Sequence, residues 1–508
     1  MVYFALSALL LCYLANGYVL LAWALLTRRR EARRAEELRA QGVTMLNIGE
    51  WPLVLTQLPL YNEPAVAARV IDAAAALDYP AGRHHIQVLD DSSDETGDIV
   101  DVRAEYWRSR GVAIEVVRRK ARAGFKAGAL HYGLAQQSSA LVAVFDADFV
   151  PPPDFLRKMV PVLVADAGLG WVQARWEHLN AGANLLTRGQ AVGIDAHFAV
   201  EQAARSAGLF MAFNGSAGVW RRGAIEEAGG WSAATLTEDL DLSCRAALCG
   251  WRGLLLPDVA VPAEVPASPT AYQAQQFRWA KGTLQTARTM LPRIWQGAWP
   301  WYAKAQATLH LTQYLLHPLL LLIALMTPWM AWAAPMNGAG GWAGSWQLLL
   351  GIGLVGGSYL AGQRLLRRPW SVSLAGLGAL LLVGTSTALG STRAAWEALI
   401  GRRSDFLRTP KRGTAGMGVV RMKRVIPAWL ELGFAAYALG AMVVCVTHGW
   451  FAAVPMLFFC ATGSLAMVLP GREGDGVEEA SKADSAVLDA RPGNGRPENR
   501  KQHEHVAV

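Results

Sequence analysis

Leu141-Val142-Ala143-Val144-Phe145-Asp146-Ala147-Asp148-Phe149 is an unbroken apolar run that stops at two carboxylates one residue apart. So short a run reads as a strand buried on both faces, delivering its acids to the edge of a sheet. Aspartates at i and i+2 repel each other and need a counter-ion, which a hard divalent cation bridging to a phosphate supplies. An acidic, solvated loop is the other reading of an isolated Asp-x-Asp, so the surrounding stretches have to decide.

Upstream, strand and helix patterns alternate. Leu53-Val54-Leu55 reads as a strand ending at Gln57-Leu58-Pro59 and Tyr61-Asn62-Glu63, and an Ala-rich helix follows from about Pro64 to Leu77, with Pro in the tolerated first turn. Ile86-Gln87-Val88-Leu89 is a second strand ending at Asp90-Asp91, and Asp94 to Thr96 can cap the next helix. Ala113 to Val117 is a third, running into Arg118, Arg119, Arg122 and Lys126, before a helix that reaches about Gln136. Each apolar strand thus ends in charged or amide side chains. In an open parallel α/β sheet that edge is where ligands bind, and acids with cations there suit a sugar nucleotide. Neither a Gly-x-Gly-x-x-Gly nor a Gly-x4-Gly-Lys-Ser/Thr motif is present, which argues against dinucleotide oxidoreductases and P-loop enzymes.

Downstream, Val172-Gln173-Ala174-Arg175-Trp176 is a further strand, followed by His178 and Asn180. A helical stretch through Asp195, His197 and Glu201 leads to Phe213-Asn214-Gly215-Ser216-Ala217-Gly218. Thr237-Glu238-Asp239-Leu240-Asp241 opens a helix with acids in its first turn, where the dipole favours them. Gln275-Gln276-Phe277-Arg278-Trp279-Ala280-Lys281-Gly282 closes the polar region.

Outside that region the chain is too apolar for one soluble globule. Of its 508 residues, 53% are hydrophobic, and the mean hydropathy is +0.20, which points to several membrane spans. The net charge of +8 sits in short clusters beside apolar runs, a topological signal that leaves no case for nucleic acid. Cys12, Cys244, Cys249, Cys445 and Cys460 show no metal-like pairing, as in a reduced, cytosol-facing or membrane-buried chain.

Several of these motifs, taken in order, resemble one family. Tyr61-Asn62-Glu63, Asp90-Asp91-Ser92, Lys126-Ala127-Gly128, Asp146-Ala147-Asp148, Thr237-Glu238-Asp239 and the Gln-x-x-Arg-Trp of Gln275, Arg278 and Trp279 span about residues 55–285. The set is similar to processive family-two glycosyltransferases of GT-A fold, such as cellulose and hyaluronan synthases, and most of all to cellulose-synthase-like glucomannan and glucan synthases. The resemblance implies an α/β GT-A (Rossmann-like) catalytic domain fused to an α-helical transmembrane region. It implies donor binding by Asn62, Glu63, Asp90, Asp91, Lys126, Asp146, Gln275, Arg278 and Trp279. Asp90 or Asp91 would meet the base and ribose, and Lys126 the phosphates. Asp146 and Asp148 would hold Mg2+ or Mn2+, and Asp239, with Glu238 beside it, would be the catalytic base. Asn214, Gly215, Ser216 and Trp279 would border the acceptor.

The expected organisation begins with a transmembrane helix over 1–27, a retained anchor because its apolar run outlasts a signal-peptide core. A cytoplasmic basic linker over 28–50 carries Arg28-Arg29-Arg30 and Arg33-Arg34. The catalytic domain covers 51–283 and interfacial helices cover 284–306, where Trp295, Trp299 and Trp301 mix with Arg288, Arg293 and Lys304. A transmembrane region over 307–470 contains a cytoplasmic loop at about 401–424, whose Phe406, Thr409 and Lys411 resemble the gating loop of cellulose synthases, with Arg408 where that motif has Val. Residues 471–508, charged and Gly/Pro-rich, make a disordered tail. Apolar runs fall at roughly 307–334, 346–363, 371–390, 425–447 and 450–469. Parity between two cytoplasmic segments makes one of the first three interfacial or re-entrant, and Arg364, Arg367 and Arg368 favour 371–390. His310, Gln313 and His317 share a helix face, where they either line a glycan channel or hydrogen-bond between helices.

The expectation is an integral membrane protein (of the plasma or inner membrane in a prokaryote) with a cytoplasmic catalytic domain. It would be a metal-dependent, inverting hexosyltransferase (EC 2.4.1.-) that uses UDP-glucose or GDP-mannose. It would extend a β-linked, 1,4 glucan, mannan or glucomannan and pass the growing glycan acceptor across the lipid membrane. A non-processive enzyme making a glycolipid, like glucosylceramide synthases, is one alternative; a non-catalytic scaffold or glycan exporter is another, against which Asp146, Asp148 and Asp239 all speak.

Overall fold

The computed structural model describes residues 1–335, 346–402 and 424–468. The gating-like positions Phe406, Thr409 and Lys411 and the tail 471–508 lie outside the described residues.

A seven-stranded sheet organises the polar region. In chain order the strands are β1 (Val54–Leu60), β2 (His84–Asp90), β3 (Ile114–Val117), β4 (Leu141–Val144), β5 (Leu169–His178), β6 (Gly218–Arg221) and β7 (Arg252–Ala263). Their spatial order is β3-β2-β1-β4-β6-β5-β7. Strands β1 to β4 pair in parallel, as the apolar runs predict, and helices α2 (Pro64–Ala75), α3 (Thr96–Arg108) and α4 (Phe125–Leu134) connect them. Strand β6 runs antiparallel to both β4 and β5, so the sheet is mixed and not wholly parallel.

Side-chain alternation separates two cores across this sheet. Val54 and Leu58 of β1 and Leu141 and Ala143 of β4 pack with Ile71, Phe145 and Phe155. Leu55, Val142 and Val144 face the other way, onto Trp171, Trp220 and Phe213. Trp171 and Trp220 are register partners on β5 and β6, stacked with centroids 4.7 Å apart. Burial on both faces explains why these strands read as continuous apolar runs.

The helix α1 spans Val2–Ile48 without a break. At 1.5 Å per residue it is about 70 Å long, roughly twice a bilayer's hydrocarbon core. Residues 28–50, expected as a linker, are therefore mostly the second half of one rod, and that half packs on the domain. Ala35 and Leu46 enter the sheet's core, and Arg34 and Arg39 pair with Asp166 and Asp258 at 3.3 and 2.9 Å. Gly42 lies against helix α5 (Phe155–Ala165) so closely that a Cβ there would sit 1.9 Å from the Pro161 carbonyl.

After β5 come α6 (Leu185–Ala196), a π-helical turn over His197–Gln202, and α7 (Ala203–Ser206); α8 (Arg222–Glu227) and α9 (Glu238–Leu248) lie between β6 and β7. The 28-residue α10 (Pro269–Gln296) crosses the expected 283/284 boundary uninterrupted. Helices α11 (Trp301–Thr312) and α12 (Leu316–Ala333), α13 (Trp346–Leu365), α14 (Trp370–Ser386), α15 (Ala388–Leu399), α16 (Ala428–Thr447) and α17 (Val454–Val468) complete the described chain. Among the described residues four stretches are long and apolar enough to cross a membrane: Val2–Ile48, Trp301–Ala333, Ala428–Thr447 and Phe451–Val468. The pair α14 and α15 meets at 45°, a geometry shared by a broken span and a re-entrant one. Gly42→Ala should overpack the α1–α5 contact and cost about 1–3 kcal/mol, read as a lower thermal midpoint of the detergent-purified chain.

Candidate active site

The C-terminal ends of β1, β2, β4 and β5 open into one cleft, a cavity of about 200 Å3. Tyr61, Glu63, Asp91, Arg122, Lys126, Asp146 and Asp148 line one part of it. Trp176, Glu177, His178, Asn214, Gly215, Glu238, Asp239, Glu264, Gln275, Arg278 and Trp279 line the rest. Motifs up to about two hundred residues apart in sequence thus share a single wall.

Lys126 sits at the centre, in the first turn of α4. Its Nζ donates to Asp146 Oδ1 at 2.7 Å and to the Gly215 carbonyl at 2.8 Å, and lies 3.4 Å from Glu238 Oε1. Burial by itself would lower the ammonium's pKa, but Asp146, Glu238 and Asp239 reverse that and hold it above the ordinary lysine value. Asp239 titrates the other way. Burial and then the neighbouring Glu238 carboxylate push it up to about 7, against the opposing pull of Lys126 and the Leu240 amide. That amide donates to Asp239 Oδ1 at 2.9 Å and fixes the carboxylate's orientation. A carboxylate with its pKa near neutrality, facing a cleft, has the properties of a general base.

Backbone geometry brings the two acid motifs together. The Asp146 amide donates to Ser216 Oγ at 3.0 Å, and the Ala217 amide to the Val144 carbonyl at 2.9 Å, so the loop 213–217 lies across the end of β4. Gly215 has φ of +82°, and a Cβ there would come 2.7 Å from Asp239 Oδ2, so close an approach admits only glycine. Asn214 receives support from the Gln173 carboxamide oxygen, which accepts its amide at 3.0 Å, and its own Nδ2 lies 2.9 Å from His197 Nε2.

Three expected contact residues stand behind the wall and not on it. Asp90 is 2% exposed, because Arg118 Nε and the Ser92 amide donate to it at 2.8 and 3.0 Å. Its neighbour Asp91 lines the cleft, held by a bidentate pair with Arg119. Asn62, at φ +53°, ties the β1 end to the next loop through Ser92 and Ser93. Ser216 is fully buried and serves Asp146. For Asp90 and Asp91 the reason is local: adjacent residues at a strand end point to opposite sides, and a sequence does not say which side is open.

Sequence reasoning did not assign Arg122, Glu177, His178 or Glu264. The Arg122 guanidinium covers the Tyr61 ring at 3.4 Å, a cation–π contact that makes one face of the cleft. His178, Asp195 and Glu177 place ligand atoms within 4.8 Å of one another, the only group among the described residues able in this way to surround a metal. Arg368 already supplies the positive charge there: its Nε is 3.0 Å from Asp195 Oδ2 and its Nη2 reaches Glu177. Asp146 and Asp148 are hard oxygen donors on the cleft wall, Asp148 only 3% exposed and Asp146 paired with Lys126.

The helix α10 contributes three residues of one face. Gln275, Arg278 and Trp279 line the cleft, at spacings that put them side by side on a helix. Farther along that face Gly282 abuts Thr237, where a Cβ would stand 2.6 Å from Thr237 Cγ2, and Gln285 Oε1 accepts the Leu236 amide at 3.1 Å.

Residues 53–282 match the family model described as glycosyltransferase like family 2. This α/β, Rossmann-like unit is thus a glycosyltransferase family 2 domain, and the wider chain joins it to helices long and apolar enough to cross a membrane. The chain is 47% identical over 239 residues to a probable glucomannan 4-beta-mannosyltransferase 7 of Oryza sativa subsp. japonica, covering 46% of this chain and 41% of the relative. It is 44% identical over 254 residues to glucomannan 4-beta-mannosyltransferase 2 of Arabidopsis thaliana, covering 49% and 48%. The chain thus spans less than half the length of these curated relatives. Among solved structures, a mannosyltransferase from Pyrobaculum calidifontis in complex with GDP-Man and Mn2+ is 21% identical, with a TM-score of 0.48 over 78% of this chain and 100% of that one.

Because Lys126 lowers the Asp239 pKa, Lys126→Met should raise it further; infrared difference spectra of the carboxyl band across a pH series will show the shift, and an unmoved titration would contradict the geometry.

Proposed function

We propose that this protein is a membrane-embedded inverting glycosyltransferase that takes hexose from a nucleotide sugar, GDP-mannose or UDP-glucose, and extends a β-1,4-linked glycan. The observation that carries this is Asp239: a near-neutral carboxylate across the Lys126 ammonium from the Asp146–Asp148 pair, in one cleft. The likeness to glucomannan 4-beta-mannosyltransferases, by their names, favours a mannosyl donor.

The residues support the following chemistry. The base and ribose lie at the end lined by Tyr61, Arg122 and Asp91, whose aromatic and carboxylate groups suit stacking and hydroxyl recognition. Asp146 and Asp148 would hold Mg2+ or Mn2+, which when bound neutralises charge on the diphosphate. Lys126 and Arg278 add fixed positive charge beside the leaving group, which is worth most where water is excluded. Asp239 accepts the acceptor hydroxyl's proton as its oxygen attacks C1 from the face opposite the leaving diphosphate, inverting the anomeric centre. Trp279 and Trp176, which both line the cleft, present flat apolar surfaces to the C–H faces of the sugar, and Asn214 lines it beside Gly215. The catalytic domain lies on the cytoplasmic side, where nucleotide sugars are made available, and the membrane helices carry the product outward.

Purified protein supplied with labelled GDP-mannose or UDP-glucose and Mn2+ should form a polymer that a linkage-specific glycanase digests. EDTA should stop the reaction, and a lipid-extractable product in place of polymer would reassign the acceptor. Asp239→Asn should lower kcat by about 100-fold or more; full activity would refute the assigned base. Activity should fall as pH drops and Asp239 becomes protonated, with the acidic limb at or below about pH 7 because a bound cation favours the carboxylate.

A further inference from the structure

Behind its cleft-facing residues, α10 carries a second set of polar groups with no place in the chemistry above. Lys281, three residues after Arg278, is completely buried, and its Nζ donates to Glu397 Oε2 at 2.8 Å. Glu397 belongs to α15, the helix Ala388–Leu399 that forms the second arm of the bent apolar pair. Its other oxygen accepts from Arg393 Nε at 2.9 Å, and Arg393 Nη1 donates to the Val425 carbonyl at 2.6 Å. Two turns earlier on α10, the buried Gln273 donates to Glu431 Oε1 at 3.0 Å on α16. Phe277 lies between these polar contacts, packed with Ala274, Ala280, Ala394, Val425 and Ile426.

A buried ion pair is a poor way to gain stability, since desolvating two charges offsets much of their attraction. Apolar side chains could fill the same space beside Phe277. What the pair adds is direction: an ammonium with one carboxylate oxygen at 2.8 Å tolerates little sliding or rotation of the helix. That constraint matters on α10, because the adjoining face, on which Arg278 and Gln285 lie three and four residues from Lys281, touches the Leu236–Thr237 segment. Gly282 and Gln285 abut Leu236 and Thr237, immediately before Glu238 and Asp239, and Arg278 and Trp279 lie one turn away. A rotation of α10 would displace the guanidinium, the indole and the Thr237–Asp239 segment together.

We propose that Lys281 is a positioning residue: its buried ion pair with Glu397 locks α10 to the apolar helix pair in the register that aligns Arg278, Trp279 and Asp239 across the cleft. This rests on the transferase reading above. It makes the helix pair part of the catalytic alignment, although no residue of α15 lines the cleft.

The experiment uses the full-length protein in detergent or nanodiscs, reading product formation, thermal midpoint and inhibition by GMP or UMP, which occupy only the Tyr61–Asp91 end. Lys281→Met should lower kcat on the order of 10- to 100-fold, with nucleoside-monophosphate inhibition within about twofold of wild type. Lys281→Arg, which keeps the charge, should recover most of the rate. The double variant Lys281→Met/Glu397→Leu keeps the interface packed without the buried Lys281–Glu397 charges. It should melt near the wild-type temperature yet remain slow, and it decides the matter if Lys281→Met alone fails to fold. Wild-type kcat in the well-folded double variant overturns the proposal, as does a Lys281→Met protein that loses rate and nucleotide binding in parallel. An inactive wild type sinks the transferase reading and this one together, whereas active wild type with equally active variants sinks only this one.

Discussion

The cationic hub at Lys126 holds the cleft in its present form. Asp146, after β4, and Glu238 and Asp239, at the start of α9, converge on one small volume, where like charges would drive them apart. One ammonium, itself hydrogen-bonded to the Gly215 carbonyl, offsets that repulsion and links β4, the loop before β6 and the start of α9. Because it does not neutralise all three acids, the cluster retains negative charge. That excess adds to burial, the larger cause, in raising the proton affinity of Asp239.

The surrounding fold supplies what the hub cannot. Two hydrophobic cores, one on each face of the sheet, fix where the strands end, and therefore where the acids begin. Helix α10 then closes the cleft from the far side, with one face on the catalytic segment and the other on apolar helices. The long α1 adds a second rigid link, because the same rod is long enough to span a bilayer and still packs Ala35, Gly42 and Leu46 on the domain. A domain held to the apolar helices through both α1 and α10 has little freedom to swing.

Residues that act by orienting others are common here, and they often look like contact residues in sequence. Asp90, Asn62 and Ser216 belong to recognisable motifs, yet each spends its polar atoms on the protein itself: Asp90 on Arg118, Asn62 on the following loop, Ser216 on the Asp146 amide. Glu177, Asp195 and His178 form a tight group of possible metal ligands, but Arg368 turns that group into a clamp between β5 and the segment joining α13 to α14. Chemical type alone does not separate these roles; the partner does.

The amino-acid sequence alone determined the strands β1 to β4 and β5, the acids at their ends, and the separation of a polar α/β region from apolar helices. Those are local properties: a strand buried on both faces is an apolar run, and the charge that ends it is adjacent in the chain. Strands β6 and β7 were not legible in it. Gly218–Arg221 is only four residues long, and β7 carries Pro257 and Pro262, tolerable because it is the edge strand. Nor did local pattern show that residues 28–48 continue the first helix, since only a sparse set of small or apolar residues among many charges meets the core. Tertiary structure alone decided which of Asp90 and Asp91 faces the cleft, that Lys126 meets Glu238, and that Lys281 meets Glu397. Each of these is a contact between residues more than a hundred positions apart or a choice between two faces of one backbone, and neither is written in any single stretch of chain.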